Sequence, residues 1–295
     1  MGKYNYANLY NNIYRNCAYF TFNLNWEKAL DSSLAGWFRR QPVGYTYFLG
    51  SNLTDCNLNN FYAIANMANT FSGCQKLVNI DVSNWNMGNV TNLASTFSSC
   101  YNLTSLDVSN WNTSNLINLS NTFYQCYNLT TLDVSNWNTN NIVSLYGTFY
   151  WCNHLINLNM SQWNTQFVSN TSYFLYTCLQ ISELNVAQWN TDNIYNFVYC
   201  FGECTNLKNI NIAQWNLAKA TTLQYMFFNC KNLTDESLYT IGTALLTATN
   251  VSSMYKNLYT GNLYSPLRNS RSINNTTVGT DLVTQLQAAG WRVPS

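Results

Sequence analysis

The chain has 295 residues, long enough for a sizeable core, and 47% of them are hydrophobic. Only 8% are charged, and Asn fills the gap at roughly one residue in six. With a net charge of +1 there is no electrostatic case for nucleic acid or an anionic membrane surface, and no run approaches the eighteen apolar residues a spanning helix needs.

The first segment, residues 1–60, begins MGKYNYANLYNNIYRNCAYF, with no apolar run of signal-peptide length. Tyr6 stands where N-myristoylation requires Ser or Thr, so that modification is rejected. The segment is rich in aromatics, among them Tyr4, Tyr10, Tyr14, Phe20, Trp26, Tyr45 and Phe48. It reads as a cap over the open end of the following repeats, or as an anchoring or oligomerising segment, since clustered Tyr and Trp suit interfaces. Trp37 and Phe38 beside Arg39 and Arg40 form a candidate contact patch for anchoring.

Residues 61–233 are dominated by one period. Cys74, Cys100, Cys126, Cys152, Cys178, Cys204 and Cys230 are spaced 26 residues apart (100 − 74 = 26, and so on), as are Trp85, Trp111, Trp137, Trp163, Trp189 and Trp215. Phe71, Phe97, Phe123, Phe149, Phe201 and Phe227 share the period, with Leu175 in the missing slot. A period that never slips predicts one coil stacked on copies of itself, a solenoid. Within the unit Cys100–Gln125, Leu106 and Val108 alternate with Ser105, Asp107 and Ser109, which is strand periodicity. The register recurs in six units, so six short parallel strands are expected, making a repeat stack about 30 Å long. A polar turn around the Trp follows, then a second extended piece (Leu116, Leu119), then T-F-x-x-C, whose i, i+3 spacing suits one helical or 3₁₀ turn. The Asn after each Trp, from Asn86 to Asn216, is expected to form a buried amide column that satisfies turn backbone. The cysteines, with an aromatic three residues before and Leu or Ile three after, read as reduced, buried thiols. One histidine, His154, and no C-x-x-C pair argue against a metal.

Residues 234–295 leave the grid and read as a C-terminal cap. Thr234 before Asp235 and Glu236 signals a helix start. Leu282, Val283 and Leu286 share a face of a second helix that ends at Gly290, and Trp291–Val293 closes the chain as a strand-like piece.

The repeat, with Phe97-Ser-Ser-Cys100, Leu103, Leu106-Asp-Val-Ser and Trp111-Asn-Thr-Ser, resembles the bacterial surface protein 26-residue repeat family, a branch of the leucine-rich repeats. The resemblance covers about residues 61–233. It implies an α/β repeat: a leucine-rich-repeat-like solenoid with a parallel sheet of short strands, short helical or 3₁₀ turns and a partly helical C-terminal cap. It also implies a surface or adhesive role. Asp81, Asp107 and Asp133 give way to Asn159, Asn185 and Asn211, and Thr171 replaces a Leu, so the later units read as looser copies.

No catalytic set emerges. A single histidine rules out most Ser-His and Cys-His schemes, and there is no G-x-S-x-G, P-loop or dinucleotide loop. The stacked Asp81, Asp107 and Asp133 read as a solvated stripe, with a cation as the weaker alternative. The expectation is therefore a structural or adhesive protein without enzymatic activity or cofactor: first a bacteriophage virion component (fibre, decoration or tail-associated protein), in the alternative a bacterial cell-surface adhesin, and last a glycan-processing enzyme. Binding is expected on the strand face through Thr104, Ser105, Asp107, Thr130, Thr131, Asp133, Asn157, Asn159, Glu183 and Asn185, which the period of two turns outward. The expected partner is a protein of the virion or surface assembly, or a host glycan. A homo-oligomer is compatible with the aromatic end, whereas nucleic acid and membrane insertion are not expected.

Overall fold

The computed structural model describes residues 55–57, 65–253, 256, 258, 265–267, 273 and 280–293. The expectations for residues 1–60 therefore lie outside the described residues, apart from the first strand. The chain winds into stacked coils with two parallel ladders. The first is built from β1 (Asp55–Asn57), β2 (Asn79–Asp81), β3 (Ser105–Leu106), β4 (Thr131–Leu132), β5 (Glu183–Leu184) and β6 (Asn209–Ile210). They pair as β1–β2, β3–β4 and β5–β6, and a single bridge, Thr131 to Asn157, extends β4 to the next coil, where no strand forms. Ser105 pairs with Thr131 and Glu183 with Asn209, at the 26-residue period, whereas Asp55 pairs with Asn79, so the first coil is two residues shorter (79 − 55 = 24).

The second ladder is the more continuous. Parallel bridges join Asn66, Asn92, Asn118, Ser144, Asn170, Asn196 and Thr222 in unbroken sequence. Beyond it, the T-F-x-x-C segment does close an i, i+3 bond, Cys100 N–H to the Phe97 carbonyl at 3.2 Å. It chains into successive β-turns instead of running on as a helix. Alternate amides leave the coil, Phe97 N–H to Thr122 at 2.9 Å and Ser99 N–H to Tyr124 at 2.6 Å, while the amides between them close the turns. To aim donors both ways the backbone goes left-handed twice per coil: Ser95, Asn121, Tyr173, Tyr199 and Tyr225 occupy one such slot, and Ser99, Gln125, Trp151, Thr177, Glu203 and Asn229 the other. Among the described residues twelve non-glycine positions have φ between 53° and 66°, a conformation costing roughly 1–2 kcal/mol per L-residue. The coil-to-coil hydrogen bonds compensate for it.

The core is a bundle of columns along the stack. The Phe rings of Phe71, Phe97, Phe123 and Phe149 stack at 5.5, 5.9 and 5.6 Å. The indoles from Trp85 to Trp215 stack at 5.9–6.3 Å within 8° of parallel. Each of Trp111, Trp137, Trp163 and Trp215 donates Nε1–H to a carbonyl of the preceding coil, Trp137 to Val108 at 3.2 Å. The thiols are fully buried and unbridged, and Cys126 donates Sγ–H to the Phe97 carbonyl at 3.2 Å, a bond repeated from Cys100 to Cys230. Desolvation pushes the Cys204 thiol up to about 12.

Two sequence expectations need correction. The Asn column after the Trp is not buried: Asn86, Asn112 and Asn138 are exposed. It does satisfy turn backbone, but from outside, Asn112 Oδ1 accepting from Ser114 N–H at 3.2 Å and Asn190 Oδ1 from Asp192 N–H at 2.9 Å. The buried polar column is the Thr one residue further on, Thr113, Thr139, Thr165 and Thr191, each donating to the Asn carbonyl of the next coil at 2.9–3.1 Å. Nor is the later stack looser. The slots filled by Leu145, Thr148 and Phe149 are filled one coil on by Thr171, Phe174 and Leu175, the same three residue types permuted, and all six are essentially fully buried. Volume is conserved, and Phe174 packs edge-on against Phe149 at 5.4 Å and Trp189 at 5.5 Å.

At the C-terminal end α1 (Asp235–Leu245) begins at Thr234, whose hydroxyl accepts from Ser237 N–H at 3.3 Å. Its hydroxyls finish the open ladder of β6: Ser237 Oγ accepts from Ile210 N–H at 3.0 Å and donates to the Lys208 carbonyl at 2.9 Å, while Thr240 Oγ1 donates to the Ile210 carbonyl at 3.1 Å. Residues 265–267 cover the open end of the chained turns, the Pro266 carbonyl accepting from Phe227 N–H at 2.7 Å. The second helix, α2 (Thr280–Ala288), packs on α1, Gly290 follows it at φ +84°, and Trp291 Nε1–H reaches the Leu245 carbonyl at 3.1 Å.

Candidate functional site

The ten strand-face residues all face solvent, although Thr104 and Thr130, each directly before another exposed residue, do not follow the period of two. Thr104, Ser105, Asp107, Thr130, Thr131, Asp133, Asn157, Asn159, Glu183 and Asn185 are all exposed, while Leu106, Leu132, Leu158 and Leu184 between them are 4–5% exposed. The face is a shared surface, but several of its polar groups already have work. Asp107 Oδ1 accepts from both Ser109 N–H (3.2 Å) and Ser109 Oγ–H (2.6 Å), and Asp81 and Asp133 repeat the arrangement. These two donors from Ser135 hold the Asp133 carboxyl below the ordinary carboxylate range. Asn159 makes the same bonds to Ser161, at 3.2 and 2.9 Å, so the exchange of Asp for Asn along the stack preserves a turn lock. Among the described residues no group of three or more His, Cys, Asp or Glu could hold a metal ion. His154 serves coil stacking. It occupies the slot of Asn102 and Asn128, and its Nδ1 lies 2.7 Å from the Tyr127 carbonyl, a coil-to-coil bond that makes Nδ1 the donor. Trp37, Phe38, Arg39 and Arg40 lie outside the described residues.

A second surface is an open groove of about 570 Å³, lined by Asn89, Thr91, Asn115, Ile117, Asn141, Val143 and Phe167. Asn115 and Asn141 donate Nδ2–H to the Gly88 and Ser114 carbonyls at 2.7 and 2.8 Å, so their amides are spent on coil stacking. Phe167, in the same slot, is 55% exposed.

The third surface was not recognised in the sequence. On the wall of chained β-turns, half-buried rings run from Tyr101 to Phe228 in continuous contact. Tyr101 and Tyr127 are 4.9 Å apart, Tyr124 and Tyr150 4.9 Å, Tyr150 and Tyr173 5.4 Å, Tyr176 and Tyr199 4.9 Å, and Tyr199 and Tyr225 4.5 Å. Trp151 joins at 5.1 Å from Tyr150. Tyr150 and Tyr176 are raised to about 12, first by desolvation and then by neighbouring charge, from Tyr124 for the former and Glu203 for the latter. The signal was available, because Tyr124, Tyr150 and Tyr176, like Tyr173, Tyr199 and Tyr225, obey the 26-residue arithmetic that exposed the cysteines.

A family profile described as Mycoplasma protein of unknown function, DUF285, matches residues 46–158 and again 144–264. Among solved structures the chain is similar to a leucine-rich repeat protein of Bacteroides ovatus, at 16% identity and a TM-score of 0.27, covering 65% of this chain and 62% of that one. It is also similar to a leucine-rich repeat protein of Leptospira interrogans, at 13% identity and a TM-score of 0.26, covering 89% and 69%. The chain thus spans less than two thirds of the Bacteroides protein. At these scores the superpositions add nothing to the coil geometry, which carries the leucine-rich-repeat-like assignment by itself. No curated protein matches the chain.

Proposed function

The chain belongs to the family of Mycoplasma proteins of unknown function DUF285, and from that premise we propose that it is a non-enzymatic binding protein of a bacterial cell surface. The observation that carries the reading is the contrast between inside and outside. Interior columns repeat the same Phe, Cys, Leu and Trp coil after coil, whereas the exposed strand face changes from Ser105 and Asp107 to Thr131 and Asp133, then Asn157 and Asn159, then Glu183 and Asn185. A rigid scaffold under a varied polar face is what a repeat protein needs to recognise a partner along its length. Short hydroxyls and amides there suit many weak hydrogen bonds to a protein or glycan, multiplied by repetition. Residues 1–60, with Trp37, Phe38, Arg39 and Arg40, take the anchoring role in this proposal, residues 61–233 the binding role, and residues 234–295 the capping role. The virion reading drawn from the sequence takes second place, because the family description points to bacterial proteins and not to phage particles.

The test has two arms. Antibody labelling of intact, unpermeabilised cells should detect the protein, and its recovery from purified virions instead would move it to the particle. Purified protein should adhere to host cells or host matrix, and Ala substitutions at Ser105, Asp107, Thr131 and Asp133 should abolish adhesion while the far-ultraviolet spectrum is unchanged. Full adhesion by that variant would remove the strand face as the binding surface.

A further inference from the structure

We propose that the tyrosine wall is a second binding site and that it takes a neutral glycan chain. The inference does not rest on the strand-face reading, because the wall lies on the β-turn side of the coil.

The fold does not require these rings. The slot of Tyr124, Tyr150 and Tyr176 is held by Ser98 in an earlier coil and by Gly202 in a later one, with the same hydrogen-bonded turn beneath: Ser98 N–H reaches Ser95 at 3.2 Å and Tyr150 N–H reaches Gly147 at 3.1 Å. Second, the rings are placed against conformational preference. Tyr173, Tyr199 and Tyr225 sit at φ 57°, 53° and 59° in a slot where other coils use Asn69, Ser95, Asn121 and Gly147, and Trp151 sits at 64° where others use Gly73, Ser99, Gln125, Thr177, Glu203 and Asn229. The left-handed turn belongs to the scaffold, but Asn and Gly enter it at less cost than a bulky aromatic, so the rings of Tyr173, Tyr199 and Tyr225 are kept there against that preference. Ring stacking along Tyr173, Tyr199 and Tyr225 offsets part of that strain but does not explain why aromatics occupy the slot.

The wall's chemistry selects the occupant. The exposed aliphatic side chains Val78, Ile117, Val143 and Ile156 all belong to other slots, so the wall is aromatic and polar. Glu203 is its carboxylate, accepting from Asn229 Nδ2–H at 2.6 Å, and among the described residues the wall's slots hold Lys231 alone as a cation, not a cluster for an anionic lipid or acidic polymer. What remains is aromatic rings, phenolic hydroxyls and short polar groups such as Ser99, which donates to Gln125 at 2.8 Å. Ring faces are electron-rich and attract the weakly positive C–H faces of sugar rings, while hydroxyls and amides pair with sugar hydroxyls. Tyr176 meets Tyr150 at 64° and Tyr199 at 63°, so its ring does not stack flat on either. Repetition along the axis suits an extended polymer over a monosaccharide.

The probes are three neutral polysaccharides, mixed-linkage β-glucan, galactomannan and dextran, cast into native gels. The wild-type chain should be retarded by at least one, and that polysaccharide should shift Trp151 fluorescence, a shift lost in Trp151→Phe. The double variant Tyr150→Ser, Tyr176→Ser should bind about tenfold more weakly or worse, yet still unfold cooperatively, since Ser98 already serves that slot. If the double variant does not fold, Tyr176→Ser alone and polysaccharide protection of wild-type Trp151 from acrylamide quenching decide the matter. No retardation by any of the three, or equal retardation of wild type and variant, overturns the proposal. So does a wild-type dimer that the variant converts to monomer, which would make the wall a self-association surface.

Discussion

Trp137 shows what one interior position contributes. It is 2% exposed, stacks on Trp111 at 6.0 Å and Trp163 at 6.3 Å, and donates to the Val108 carbonyl. Truncation to Ala removes two stacking contacts and leaves a cavity that neighbours on both sides hold open, so Trp137→Ala should cost about 3–5 kcal/mol in urea unfolding. Asp133→Asn should cost under about 0.5 kcal/mol in the same measurement, because Asn159 makes the same turn lock with a neutral amide. A large loss at Asp133 would mean its charge matters to the fold. That Trp137 is interior was legible in the period, because equivalent slots in a stack share an environment. That Asn138 is exposed was not, because an Asx turn satisfies backbone equally well from outside.

The elements have little independent substance. β3 and β4 contain two residues each, too few to hold together outside the stack. Their stability comes from neighbours, and the last strand, β6, has a helix for a neighbour. Ser237 and Thr240 stand in for the missing strand, bonding Ile210 N–H and the Ile210 carbonyl. Ser237→Ala leaves Ile210 N–H, buried under α1, without its acceptor. The expected cost is about 1–3 kcal/mol in urea unfolding, with faster hydrogen exchange confined to β6 and α1. Exchange that rises uniformly along the stack would show that the cap and coils do not fray separately. The helix start at Thr234 could be read from the chain, but the hydroxyls of α1 as ladder surrogates could not, since nothing local marks which serines face an open sheet edge.

For the whole molecule, alkali is the revealing perturbation. The described on-grid thiols are fully buried, and desolvation raises Cys126, Cys152, Cys178, Cys204 and Cys230 above their ordinary value of 9.0. A raised folded value means that the unfolded chain releases its protons first. Stability is therefore complete below pH 9 and falls as pH climbs toward the folded values, Cys204's being about 12. Each thiol contributes a slope of about 1.4 kcal/mol per pH unit across its own window, so a column of them should produce a steep alkaline collapse. Equilibrium unfolding from pH 7 to 11 should show it, and Cys178→Ala should reduce the slope. A flat profile would mean that the thiols are not buried in solution.

The 26-residue period and the apolar columns of the interior were determined by the sequence alone, because in a stack of identical coils an apolar residue's slot dictates its burial. Three things were decided only by tertiary structure. The permutation of Leu, Thr and Phe at residues 171–175 keeps the core full, which is visible only once the three slots share one volume. The left-handed wall arises because amides must reach the next coil, a demand no local residue preference records. And Tyr124, Tyr150, Trp151, Tyr173 and Tyr176 become one surface only when the coils stack, bringing rings as many as 26 residues apart to about 5 Å.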